Sequence, residues 1–151
     1  MQEMINPLRE ELSRFRRWQD DGAADVLDLG HGAEWESNYP HWGALLAAVQ
    51  TAIAETGKLD EESISLVLFV LARDNEDEAV ADTLRATPAT LARLLPAALN
   101  YPDPQARWQI ASILPAVLGA HALEPLCHLN QDPDEYVRRR ASIALDELQA
   151  T

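Results

Sequence analysis

Basic residues are nearly missing from one stretch of this chain. Between residues 20 and 82 only Lys58 and Arg73 stand against fifteen aspartates and glutamates. The flanks are close to balance, with three acids and four bases over residues 1–19 and seven acids and six bases over residues 83–151, so the net charge of −13 belongs to the middle of the chain. A surface of that sign repels a phosphate backbone and an anionic bilayer, so neither nucleic acid nor membrane is an expected partner.

Cysteine is almost absent as well. Cys127 is the only one, so no intramolecular disulfide can form, and its place among Leu123, Leu126 and Leu129 predicts a buried small hydrophobe. Residues 1–20 carry Arg9, Arg14, Arg16 and Arg17 but no apolar core of a signal peptide, and no run reads as a membrane span. The expected compartment is the cytoplasm. A Gly-rich phosphate loop and a nucleophile elbow are both missing, so an enzyme is not expected. His121, Glu124 and His128 stand at i, i+3 and i+7, but Pro125 disturbs that register and no further ligand cluster accompanies them; neither metal nor cofactor is expected.

What the chain does hold is helical punctuation. At 151 residues it suits one domain spanning 1–151. Asn6-Pro7 reads as a cap and first helical residue, with Leu8, Leu12 and Phe15 behind it. Gly22 to Tyr39 reads as a long acidic connection that carries Trp35, expected to be anchored by its aromatics. Pro40 opens a helix on Trp42, Leu45, Leu46, Val49 and Ile53, closed by Gly57. Asp60 caps a helix so apolar from Ile64 to Leu71 that it must be covered on most sides and central. Asn75 with Glu78 gives a capping-box spacing, Thr87-Pro88 starts a fifth helix on Leu91, Leu94, Leu95 and Leu99, and Asp103-Pro104 a sixth. Pro96 and Pro115 fall inside helical stripes and predict kinks, whereas Pro125 falls in a first turn where its missing amide matters little.

The last sixty residues contain a repeat. Ala111-Ser112-Ile113-Leu114 returns as Ala141-Ser142-Ile143-Ala144-Leu145 thirty residues on, and Asp103-Pro104 returns as Asp132-Pro133 twenty-nine residues on. Asp132 with Glu135 again has the capping-box spacing. Gly119, Pro125, Asp132-Pro133, Val137-Arg138 and Ala141 with Ala144-Leu145 together resemble the HEAT-like repeat of α-solenoids, in the variant of phycobilin lyase-type proteins. The resemblance covers residues 88–149 well and earlier residues weakly, with 1–59 as an atypical terminal part. It implies an all-α fold, an α-α superhelix of about eight helices. It also implies that Arg138 pairs with Asp103 or Asp132 as a structural ladder, and that second helices of each pair line a concave face.

Function follows less directly, since a fold hosts many functions. The iron-holding HEAT-like hydroxylases use adjacent His-Glu pairs, which this chain lacks, and the HEAT-like DNA glycosylases are basic where this chain is acidic. The expectation is a non-catalytic protein-binding scaffold of the small acidic bacterial type, monomeric, holding a basic protein partner, as immunity-type or regulatory proteins do. The alternative is an accessory, lyase-like chaperone that offers an apolar groove to a peptide or chromophore-bearing protein. The residues expected to carry binding are Glu34, Trp35, Glu36, Asp74, Glu76, Asp77 and Glu78, with Trp108 either packed against the next repeat or exposed as an apolar anchor.

Overall fold

The structure, a computed structural model, describes residues 2–18, 20, 39–55, 59–74 and 77–150. Among them there is no strand, and the fold is all-α. Helix α1 spans Gln2–Trp18, α2 Trp42–Ala54, α3 Glu61–Arg73, α4 Ala79–Arg85, α5 Pro88–Leu99 and α6 Pro104–Leu118. A 3₁₀ turn, Gly119–Ala122, leads into α7, Leu123–Leu129, and α8, Glu135–Ala150, ends the described chain.

Several starts differ from the reading of the sequence. Helix α1 already begins at Gln2, which leaves Pro7 inside it and removes Asn6 as its cap. Burial of Leu8, Leu12 and Phe15 on one stripe holds the helix despite the backbone bond that Pro7 withholds. Asp60 caps α3 as its position implies, accepting from the Ser63 amide at 2.8 Å. Asp103 caps α6, accepting from the Gln105 amide at 2.9 Å. Thr87 precedes α5, but its hydroxyl donates backward to the Thr83 carbonyl at 2.7 Å. Helix α8 starts two residues later than Asp132-Pro133 suggests: the side chain of Asp134 accepts from the Val137 amide at 3.0 Å, while Asp132 accepts from the Asp134 amide at 2.9 Å and from Arg107. Gly57 and Asn75 lie outside the described residues.

Both α5 and α6 continue through their internal prolines. Pro96 and Pro115 each stand three residues before the helix ends, so a bend there has less than a turn of helix to redirect. Beyond Pro115 the chain leaves the α conformation at Gly119, whose φ of 54° suits a residue without a Cβ.

Helix α3 buries Ile64, Val67, Leu68, Val70 and Leu71 as its apolar run requires. Yet α6 is the pivot of the molecule, since it packs against α3, α4, α5, α7 and α8. The run from Pro104 to Leu129, 26 residues, is long and apolar enough to cross a membrane by length and composition, contrary to the expectation that no run reads as a span. Here Ile110, Ile113, Leu114, Leu126 and Leu129 from that run are fully or almost fully buried in the helical core, and Gly119 breaks it in two.

Carbonyls left without partners at helix ends are met by side chains from later helices. Thr90 donates to the Ile53 carbonyl at the end of α2 at 2.7 Å, and Gln109 donates to the Leu71 carbonyl near the end of α3 at 2.7 Å. Such bonds fix the angle at which α5 and α6 meet the N-terminal helices, because a buried donor satisfied in only one geometry penalises every other. At the N-terminal end, Tyr39 is buried against Phe15 and Trp18, with ring centroids 5.0 and 5.1 Å apart. Trp42 is half-buried on the rim of that cluster.

Candidate functional site

The acids singled out from the sequence divide on inspection. Glu34, Trp35, Glu36 and Glu76 lie outside the described residues. Asp77 is exposed and Glu78 half-buried, both in the connection from α3 to α4. Asp74 is not a surface acid at all, being 3% exposed. Its Oδ2 accepts from the Val80 amide at 2.8 Å, so it caps α4 from five residues before the first helical residue, Ala79. Glu78 takes a left-handed backbone, φ 56°, and makes no side-chain cap. Burial pushes the Asp74 carboxyl up to about 6; the Val80 and Ala79 amides oppose this, and the charges of Asp77 and Glu78 add to it.

Trp108 is also committed, at 7% exposed. Its ring meets Tyr136 of α8 edge-on, centroids 5.3 Å apart, and the Arg140 guanidinium lies 5.0 Å above it. Arg140 further donates to Ser112 Oγ at 3.0 Å and to the Tyr136 hydroxyl at 3.2 Å. Of the two placements open to Trp108, the structure has it packed against the following hairpin, and it is not a free aromatic anchor.

Two features were not read from the sequence. The first is Arg107, 9% exposed, which grips Asp132 with both edges of its guanidinium, Nε to Oδ2 at 2.8 Å and Nη2 to Oδ1 at 3.0 Å. Its Nη1 donates to the carbonyls of Tyr101 and Pro102. Arg138 makes a different bond from the ladder expected of it, donating to the backbone oxygen of Asp132 at 2.7 Å. Burial alone would raise the Asp132 carboxyl, but Arg107 and the Asp134 amide outweigh that and hold it below the usual aspartate range. An arginine inside an otherwise apolar helix, just after an Asp-Pro start, was the signal available. A polar cavity of about 510 Å³ adjoins this pair, lined by Tyr101, Arg107, His128, Gln131 and Asp132 among others.

The second is an apolar groove of about 690 Å³ between the C-terminal ends of α6 and α8, lined by Pro115, Ala116, Gly119 and Ala120, by Leu123, and by Glu147 and Leu148 of α8. Leu123 is 56% exposed. Helices α6 and α8 run parallel: Trp108 meets Tyr136, Ser112 meets Arg140, and Pro115 and Ala116 face Glu147 and Leu148, in rising order on both. Cys127 is exposed, contrary to expectation, because on short α7 it is Pro125, Leu126 and Leu129 that face inward. His121 stands in the 3₁₀ turn and His128 in the last turn of α7. No group of three or more His, Cys, Asp or Glu stands close enough to hold a metal among the described residues.

Comparison with protein-family models, with characterised proteins and with solved structures finds no match to this chain.

Proposed function

We propose that this protein is a non-catalytic binding scaffold built of HEAT-like helical pairs, with an acidic surface that recruits a basic protein partner. The reading rests chiefly on charge: fifteen acids stand against two bases over residues 20–82, and setting aside Asp60 and Asp74, which cap helices, the excess is not a fold requirement, since like charges at a surface repel one another. Such a field speeds encounter with a cationic partner and turns anionic competitors away. Parallel packing of α6 on α8, at the offset of 28 residues seen between Ser112 and Arg140, supports the reading of 88–149 as two stacked pairs of a short α-solenoid.

The test begins with affinity capture, identification of what is retained, and association kinetics across a salt series. Charge reversal at Glu76 and Asp77 should slow association with a captured basic protein several-fold at low salt and leave thermal stability equal or higher. Association rates unchanged at low salt would refute the acidic surface as the recognition element.

The groove beside Leu123 favours a second reading, an accessory or lyase-like chaperone that offers an apolar channel to a peptide or chromophore-bearing protein. There binding would persist when salt screens the acids.

A further inference from the structure

We infer that the groove between the C-terminal ends of α6 and α8 is the docking site for an amphipathic helix of a partner protein, with its apolar stripe on Leu123 and Leu148 and lysine or arginine flanking that stripe. The inference rests on the binding-scaffold reading above and names a place on the scaffold that the acidic stretch does not include.

Shape gives the apolar half of the argument. The lining includes small residues, Ala116, Gly119 and Ala120, which let another backbone approach closely, and Leu123, which stands 56% exposed. A large aliphatic side chain left in water forfeits the gain of burial, so a partner that covers Leu123 recovers part of it. On α8 the residues Tyr136, Arg140, Ile143 and Glu147 recur at helical spacing, and Tyr136 and Ile143 are 41% and 49% exposed. These are all the exposed large hydrophobic residues described, and two of the three lie on this one stripe of α8, while Leu123 lies in the groove at its end. A stripe of that kind beside a groove fits the spacing of a helical ligand.

Charge decides which helix. Glu147 is the only charged side chain in the groove lining, and Asp146 beside it is exposed. Because α6 and α8 are parallel, both end at this rim, and each brings the partial negative charge of a helix C-terminus, on the order of half an electron. Helix α7 begins at the same place, but Glu124 occupies its first turn. Arg140, the one basic side chain on the α8 stripe, stands seven residues before Glu147 and is bound to Ser112 and Tyr136, and His121 is exposed in the 3₁₀ turn, so it is the Glu147 end of the groove that is anionic, and there an acidic or neutral apolar helix would forgo that attraction.

Three blocked synthetic peptides test the inference by fluorescence anisotropy against the full chain. One carries leucine at i, i+3, i+4 and i+7 with lysine elsewhere, one has the same composition scrambled, and one replaces the lysines by glutamate. The first should bind one per chain, and the other two at least tenfold more weakly. Leu123→Glu, at an exposed position, should cost at least tenfold in affinity for the first peptide with an unchanged melting temperature, and Ala116→Trp, which fills the groove, should do the same. Equal binding of the scrambled peptide, or indifference to both variants, would overturn the inference. So would self-association of the unliganded chain that Leu123→Glu abolishes, since a second copy would then be the occupant. Asp77→Lys with Glu61→Lys separates the two readings. If Leu123→Glu removes peptide affinity while these leave it intact, the groove stands, and the acidic surface then stands or fails separately on the association kinetics of the captured partner; if they remove it while Leu123→Glu does not, the groove fails.

Discussion

A carboxylate that is 3% exposed and stands three residues from Asp77 and four from Glu78 is held charged only at a cost. With its pKa lifted from 3.8 to about 6, Asp74 at neutral pH opposes folding by roughly 3 kcal/mol, at 1.36 kcal/mol for each unit. The folded state binds the proton more tightly than the unfolded chain, so stability from this group rises as pH falls through about 6 towards 4 and is flat below that. An asparagine keeps the oxygen that accepts from the Val80 amide and discards the charge. Asp74→Asn should therefore stabilise the protein by about 1–3 kcal/mol at pH 8 and by much less at pH 4.5. Urea denaturation at the two pH values measures the difference, and a gain that does not depend on pH would mean that the cap, and not the charge, sets the effect.

At the scale of elements, the connection from α3 to α4 carries a second local penalty, a glutamate in left-handed backbone. Glu78→Gly should raise stability by about 0.5–1 kcal/mol, because glycine adopts φ 56° without the Cβ clash. Glu78→Ala removes the charge and keeps the strain, so thermal melts of the two variants divide the effect between backbone and electrostatics. This same connection shows where the sequence could and could not be read. Asp60 and Asp103 announce their helices because each cap is local, its acceptor within three residues of the amide it meets. Asp74 and Asp132 are also aspartates ahead of helices, yet each has a partner set by packing: Asp74 reaches six residues forward to Val80, and Asp132, besides its local bond from the Asp134 amide, binds an arginine 25 residues back. The apolar stripes were legible for a related reason, since periodicity is a property of one helix. The groove was not, because it exists only between the ends of α6 and α8 and is made of small residues that no stripe picks out. Cys127 misled in the same way: proximity to leucines in sequence does not fix which side of a short helix turns inward.

For the molecule as a whole, the question is whether the C-terminal hairpin of α7 and α8 unfolds with the rest. Helix α6 packs on α3, α4 and α5 and also on α7 and α8, and among the described residues, beside the partly buried bond from Arg140 to Ser112, the buried ion pair on the α7 and α8 side is Arg107 with Asp132. Both partners are buried, so removing one leaves the other without compensation at roughly 3–5 kcal/mol, while replacing both with apolar residues of similar volume costs far less. Arg107 also donates to the carbonyls of Tyr101 and Pro102, which ties the start of α6 to the turn before it. Arg107→Ala should thus weaken the joint selectively. In native-state hydrogen exchange the amides of 123–150 should lose several kcal/mol of protection, while those of 61–73 should lose protection only down to the remaining global stability. Arg107→Met with Asp132→Leu should recover most of the loss. The joint also sets a pH limit: Asp132 has its pKa lowered, so its contribution is complete above the ordinary aspartate range and disappears as pH falls through the depressed value. The hairpin should accordingly be the first part to exchange freely in acid, below the window in which Asp74 gains. Equal loss of protection across both segments in Arg107→Ala would instead mean that α6 binds the two halves into one cooperative unit through its apolar face alone.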